Sequence, residues 1–130
     1  MMKPASVWRV LAQRYRHEAA QCTSCDKILF PPRRVCPHCR GTAFRKVRLC
    51  DRGRIITYTI QHVSAPAFAD QTPFAVGIIE TDDGVRLMAQ IVDFPPEKLR
   101  TGERVRLAFR RIQADGDSGV IAYGHKAVPE

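Results

Sequence analysis

The chain has no long hydrophobic run. Nothing in its 130 residues approaches the roughly 18 consecutive apolar residues that a membrane-spanning helix needs. The opening Met1-Met2-Lys3-Pro4-Ala5-Ser6 has no apolar stretch of the signal-peptide kind, so a cytoplasmic location is expected. Neither GxGxxG nor GxxxxGK[ST] occurs, which removes the common nucleotide-phosphate loops. No Ser/His/Asp or Cys/His set stands out for nucleophilic catalysis. Acidic residues are also scarce in the first fifty positions, where only Glu18 and Asp26 face eleven Lys and Arg, a net of +9. Residues 51–130 hold eleven acids against ten basic residues, a net of −1. The whole excess of +8 therefore sits in the first half. Such a face is either simply solvated or a docking surface for an acidic partner or for phosphates.

Five cysteines are present, an odd number that fits poorly with a disulfide framework. Four form two pairs: Cys22-Thr-Ser-Cys25, ten residues, then Cys36-Pro-His-Cys39. Each CxxC turn aims two sulfurs to one side, and two such knuckles joined by a short hairpin make the tetrahedral S₄ set that zinc prefers. Cys22, Cys25, Cys36 and Cys39 are thus the candidate ligands of one zinc ion per chain. Iron can take the same ligands. Four thiolates close the coordination sphere, so the metal is expected to be structural. The thiolates and zinc together add a charge of about −2 and leave the first half at about +7. Asp26 and Gly41 are the residues expected to supply positive φ after the knuckles. His38 is read as solvent-facing and Cys50 as a buried thiol. His62 and His125 are placed near strand ends.

Around this module the pattern predicts a helix over 6–20. Ser6 is its N-cap, and Trp8, Leu11 and Tyr15 form one stripe with Ala12 and Ala19 close by. Beyond residue 50 come five strand signals: 55–60, 74–79, 85–92, 104–109 and 120–123. The Asp82-Asp83-Gly84 turn opens the third, and a single helical turn at 95–99 follows it. Five short strands with a helical turn after the third predict an OB-type Greek-key barrel. The connection 62–73 is long for a hairpin and carries Phe68 among small residues. It either folds over the barrel end or contacts a partner or an apolar ligand arm.

Several phrases now add up. A helix ending in Arg14-Tyr15-Arg16 leads into CxxC, then Leu29-Phe30-Pro31-Pro32-Arg33 and Cys36-Pro37-His38-Cys39. The second half has Gly53-Arg-Ile-Ile-Thr57-Tyr58-Thr59, Asp70-Gln71-Thr72-Pro73-Phe74, Asp83-Gly84-Val85-Arg86-Leu87, Ala89-Gln90-Ile91-Val92-Asp93 and Tyr123-Gly124-His125-Lys126. From about residue 8 to 128 the chain resembles the zinc-ribbon/OB-fold proteins associated with acyl-CoA enzymes. It is especially similar to the small scaffold subunit of archaeal-type acetoacetyl-CoA thiolase/hydroxymethylglutaryl-CoA synthase complexes. Related subunits accompany bacterial thiolase-like acyltransferases, enoyl-CoA hydratases and aldolases. Two departures stand out: Asp26 follows the first knuckle where the family usually has Gly, and Arg40 follows the second, with Gly41 one place later.

The resemblance implies a mainly β protein made of an N-terminal helix (1–20), a rubredoxin-like zinc ribbon (21–50) and a five-stranded OB-fold barrel (51–130). It also implies a non-catalytic subunit that bridges thiolase-fold or hydroxymethylglutaryl-CoA synthase-like enzymes and helps enclose the CoA arm. Arg33, Arg34 and Phe68 are the candidate partner or CoA contacts. A nucleic-acid-binding protein is the competing class, because ribbons and OB barrels serve both. Single-strand binding needs exposed stacking aromatics among cations. Here the barrel half is slightly acidic, and Tyr58, Phe68, Phe74, Phe94, Phe109 and Tyr123 are read as mostly core.

Overall fold

A computed structural model describes residues 3–130. The predicted single helix is two short ones, α1 (Pro4–Arg9) and α2 (Leu11–Arg16), parted at Val10 (φ −107°, ψ 16°). Lys3 is the N-terminal flanking residue and Pro4 the first helical one, where its missing N–H costs nothing, so Ser6 lies inside the first turn rather than capping it. His17, in the left-handed region at φ 49°, ends α2. Glu18–Cys22, read in part as helix, is instead strand β1. Ala19 and Ala20 favour helix intrinsically, but pairing of β1 with later chain outweighs a preference worth only tenths of a kcal/mol per residue.

β1 is the centre of a three-stranded antiparallel ribbon sheet with β2 (Ile28–Leu29) and β3 (Phe44–Arg48) on its two sides. Then follow β4 (Arg52–Gln61), β5 (Phe74–Thr81), β6 (Arg86–Ile91), β7 (Arg104–Ala114) and β8 (Ile121–Pro129). They close into a barrel in the order β4-β5-β6-β8-β7, with β6 and β8 parallel. That is the expected five-stranded OB barrel, with a 3-10 turn at Pro96–Lys98 between its third and fourth strands. The alternating burial of β5 fills the interior, where Ile55, Ile79, Ile91, Val105 and Leu107 meet. Closure requires β4 to bend, and its register with β5 shifts between Ile55 and Thr57. At Gly77 a Cβ would stand 2.6 Å from the Thr57 carbonyl oxygen and 2.7 Å from Ile91 Cδ1, so only glycine lets the strands come this close.

The ribbon and barrel share a second apolar cluster of Ala19, Leu49 and Val85, flanked by Phe30 and Leu87. The Cys50 N–H donates to Asp83 Oδ2 at 2.9 Å, tying the ribbon's exit to the β5–β6 turn. Tyr15 of α2 makes T-shaped contacts with Phe109 of β7 (5.2 Å) and Tyr123 of β8 (6.3 Å).

Candidate metal centre and partner surfaces

The two knuckles repeat one backbone scheme. The Asp26 N–H donates to the Cys22 carbonyl at 2.8 Å, and the Arg40 N–H donates to the Cys36 carbonyl at 2.8 Å. The Cys22 N–H reaches the Lys27 carbonyl and the Cys36 N–H reaches the Gly41 carbonyl, both at 2.9 Å. Each turn thus aims both its sulfurs inward. All four Sγ atoms lie within 4.8 Å of one another, with Cys22 to Cys39 at 3.4 Å and Cys25 to Cys36 at 3.6 Å. A tetrahedron with Zn–S bonds of 2.3 Å has edges of about 3.8 Å, so the set fits zinc. Cys22 and Cys36 are fully buried, while Cys39 stands at the rim. Backbone N–H groups favour the thiolate form: that of Cys25 leads in drawing the Cys22 thiol down to about 6, and that of Cys39 leads in lowering Cys36.

Positive φ occurs at Asp26 (60°) and Arg40 (64°), the residue directly after each second cysteine, and not at Gly41. The departure at Arg40 therefore leaves the turn intact but places a bulky side chain in a left-handed position. Gly41 serves a different end. A Cβ there would sit 3.3 Å from Cys39 Sγ and 3.4 Å from Cys22 Sγ, so its bare Cα lets the loop pass the sulfurs. His38 is exposed, as expected.

Arg33 and Phe68 line separate depressions. Arg33 borders a cleft of about 450 Å³ between the ribbon and the β5–β6 turn, with Lys27, Phe30, Pro37 and Arg86. Arg34 is exposed on the same loop but does not line that cleft. Phe68 lies in the 3-10 turn Pro66–Gln71 with its ring 6.1 Å from Phe74. It overhangs an apolar groove of about 420 Å³ with Val76, Met88, Ala89 and Ile112. The 62–73 connection is pinned to the barrel by Gln71. The Gln71 amide donates to the Ile112 carbonyl, and its Oε1 accepts from Lys126 Nζ at 3.0 Å and from Gln90 Nε2 at 3.2 Å. The connection therefore folds over the barrel and borders a groove at once.

Comparison with known proteins agrees with this geometry. Residues 9–45 match the rubredoxin-like zinc ribbon domain of ChsH2, and residues 46–110 match the ChsH2 C-terminal OB-fold domain. A DUF35 domain-containing scaffold protein of Methanocaldococcus jannaschii is 42% identical over 94% of this chain and 87% of its own length. The chain belongs to this ChsH2-type zinc-ribbon/OB-fold family. A more distant relative, the benzoylsuccinyl-CoA thiolase subunit BbsA of Thauera aromatica, is 26% identical over 82% of this chain and 71% of its own length. A solved structure titled Ltp2-ChsH2(DUF35) aldolase superposes with a TM-score of 0.72 at 25% identity, covering 99% of this chain and 96% of that one. The family resemblance and the fold read from the sequence are thereby borne out, and no helix among the described residues is long and apolar enough to cross a membrane.

Three readings change within this family frame. Phe109 and Tyr123 are not core residues: their rings stack on one another at 5.4 Å and 12°, and Phe109 is half exposed. Each ring gives one face to the other and both meet Tyr15, so part of this aromatic surface is occupied within the chain itself. His125 lies in the middle of β8, not at a strand end, and its ring lies 3.7 Å from that of His17, tilted by 35°. Its Nδ1–H donates to the Arg14 carbonyl at 3.0 Å. This histidine pair joins α2 and the ribbon to the barrel. No sequence signal announced it, because the partners are 108 positions apart. Cys50 is half-buried rather than buried.

Proposed function

We propose that this chain is a non-catalytic scaffold subunit for thiolase-fold acyl-CoA enzymes, of the acetoacetyl-CoA thiolase/hydroxymethylglutaryl-CoA synthase type or a related acyltransferase. Cys22, Cys25, Cys36 and Cys39 hold one structural zinc that fixes the ribbon against the barrel. The observation that carries the reading is the apolar groove under Phe68. Its wall includes Met88 at 73% exposure, on a barrel whose interior is already filled by its own side chains. A groove on the outer face of a packed barrel suits a partner's surface or an apolar ligand arm rather than a reaction. Phe68 helps enclose the CoA arm at the shared interface, and Arg33 and Arg34 lie at the rim facing acidic groups or the CoA phosphates. The relatives named as a scaffold protein and as a thiolase subunit support this reading.

Purification from native cells with neighbouring proteins identified tests it. A stable complex with a thiolase-fold enzyme is expected at physiological salt, since a lasting interface buries roughly 1,200 Å² or more. Turnover is expected only with that enzyme present. Phe68→Ala should weaken the complex or CoA retention by about 2 kcal/mol, and charge reversal at Arg33 and Arg34 should mainly slow association. Tight single-strand nucleic-acid binding at physiological salt, with no enzyme recovered, would reverse the reading, because phosphate-driven binding by Lys and Arg falls steeply with salt.

A further inference from the structure

The sequence stripe Trp8-Leu11-Tyr15 predicts one buried face, and the structure divides it. Tyr15 is committed to Phe109 and Tyr123. Leu11 and Ala12 are half-buried. Trp8, the chain's only tryptophan, is 74% exposed, and α1 buries none of its residues. The break at Val10 turns α1 off the line that would have carried Trp8 onto the barrel with Tyr15. A six-residue helix is far below the length that is stable alone in water, and α1 buries none of its own residues, so a covering surface would supply the packing that its length does not. The charge around it is of one sign. From Lys3 to His17 the segment has Lys3, Arg9, Arg14 and Arg16 and no acid. Among the described residues, neither the Arg9 nor the Arg14 guanidinium joins an ion pair.

We propose that the α1–α2 pair is a docking hook whose Trp8 enters an apolar pocket rimmed by carboxylates on the partner enzyme. This rests on the scaffold reading above and names one point of attachment. Tryptophan dominates interface centres because it buries a large area in a single rigid ring. Arginines beside it select a pocket with an acidic rim and speed encounter. A second copy of the chain is a poor occupant, because its corresponding segment is equally basic. A membrane surface is also disfavoured: an interfacial helix needs a continuous apolar face, whereas two short helices parted at Val10 offer one large exposed apolar side chain.

The full chain labelled with 5-fluorotryptophan carries a single fluorine, at Trp8, and its resonance reports solvent exposure through the H₂O/D₂O shift. The probe is the thiolase-fold acyl-CoA enzyme that co-purifies with the chain. On adding it, the resonance should move and lose its solvent shift. Trp8→Ala should weaken the complex by about tenfold or more with an unchanged melting temperature, and the Arg9→Glu/Arg14→Glu variant should slow association. A complex that forms while the resonance stays solvent-exposed, or that tolerates Trp8→Ala, overturns the hook and leaves the scaffold reading standing. So does a melting temperature lowered by Trp8→Ala, which makes Trp8 a structural residue. No complex with the unsubstituted chain overturns both. A shift with anionic phosphatidylglycerol vesicles and none with the enzyme transfers the hook to membranes and overturns the proposal.

Discussion

Removing the metal should unfold the ribbon and leave the barrel standing. Besides Cys22 and Cys36, the ribbon's buried apolar residues are Ala19, Ala20, Leu29 and Leu49. Burial is worth about 1.5–3 kcal/mol for each leucine and less for each alanine. A structural zinc site contributes about 10–16 kcal/mol. The metal therefore outweighs the packing, and loss of one ligand forfeits most of it. The barrel depends on another cluster, centred on Ile55, Ile79, Val105 and Leu107, which shares only the flanking Leu87 with the ribbon's. Chelation followed by amide NMR should collapse the dispersion of residues 18–48 while the β4–β8 amides keep their shifts, and Cys36→Ser should do the same without chelator. Metal analysis should give one zinc per chain. Dispersed ribbon amides in metal-free protein, or protein purified without chelator that holds iron or no metal, would refute the reasoning.

His17 is held neutral down to about 4, first by burial and then by His125 and Arg48 beside it. The unfolded chain takes up this proton near 6.5, so the stability it contributes is whole above 6.5 and is lost as pH falls towards 4, by about 2 kcal/mol after solvent screening. His17→Asn, which tolerates the left-handed backbone, should flatten the acid limb of a denaturation series; an unchanged limb refutes the assignment. Ile79→Ala removes a fully buried side chain at the barrel centre and should cost about 2–5 kcal/mol in urea unfolding; a cost under about 1 kcal/mol would mean the barrel is looser than its packing shows. Arg104 grips Asp82 with two hydrogen bonds (2.8 and 2.9 Å) and Glu130 with one. Because these groups are exposed, Arg104→Ala should cause a small destabilisation that fades at high salt, and a salt-independent loss would contradict that account.

The sequence by itself picked out the four cysteines whose sulfurs the fold brings together, because CxxC spacing is a local property: four residues fix where two sulfurs point, whatever surrounds them. It also determined the barrel strands, because alternation in segments such as 74–79 and 104–109 is read within a few residues. Tertiary structure decided what depends on distant chain. Ala19 became strand because β3 lies beside it, and Tyr15 found its partners on β7 and β8. The His17–His125 contact exists only once the barrel closes. The same limit applies to Trp8. A helical stripe shows that a face is apolar, but the break at Val10 and the seating of Tyr15 leave that ring in solvent. Spacing along a chain specifies local geometry, whereas burial depends on which distant surface arrives, and that surface is set by the whole fold.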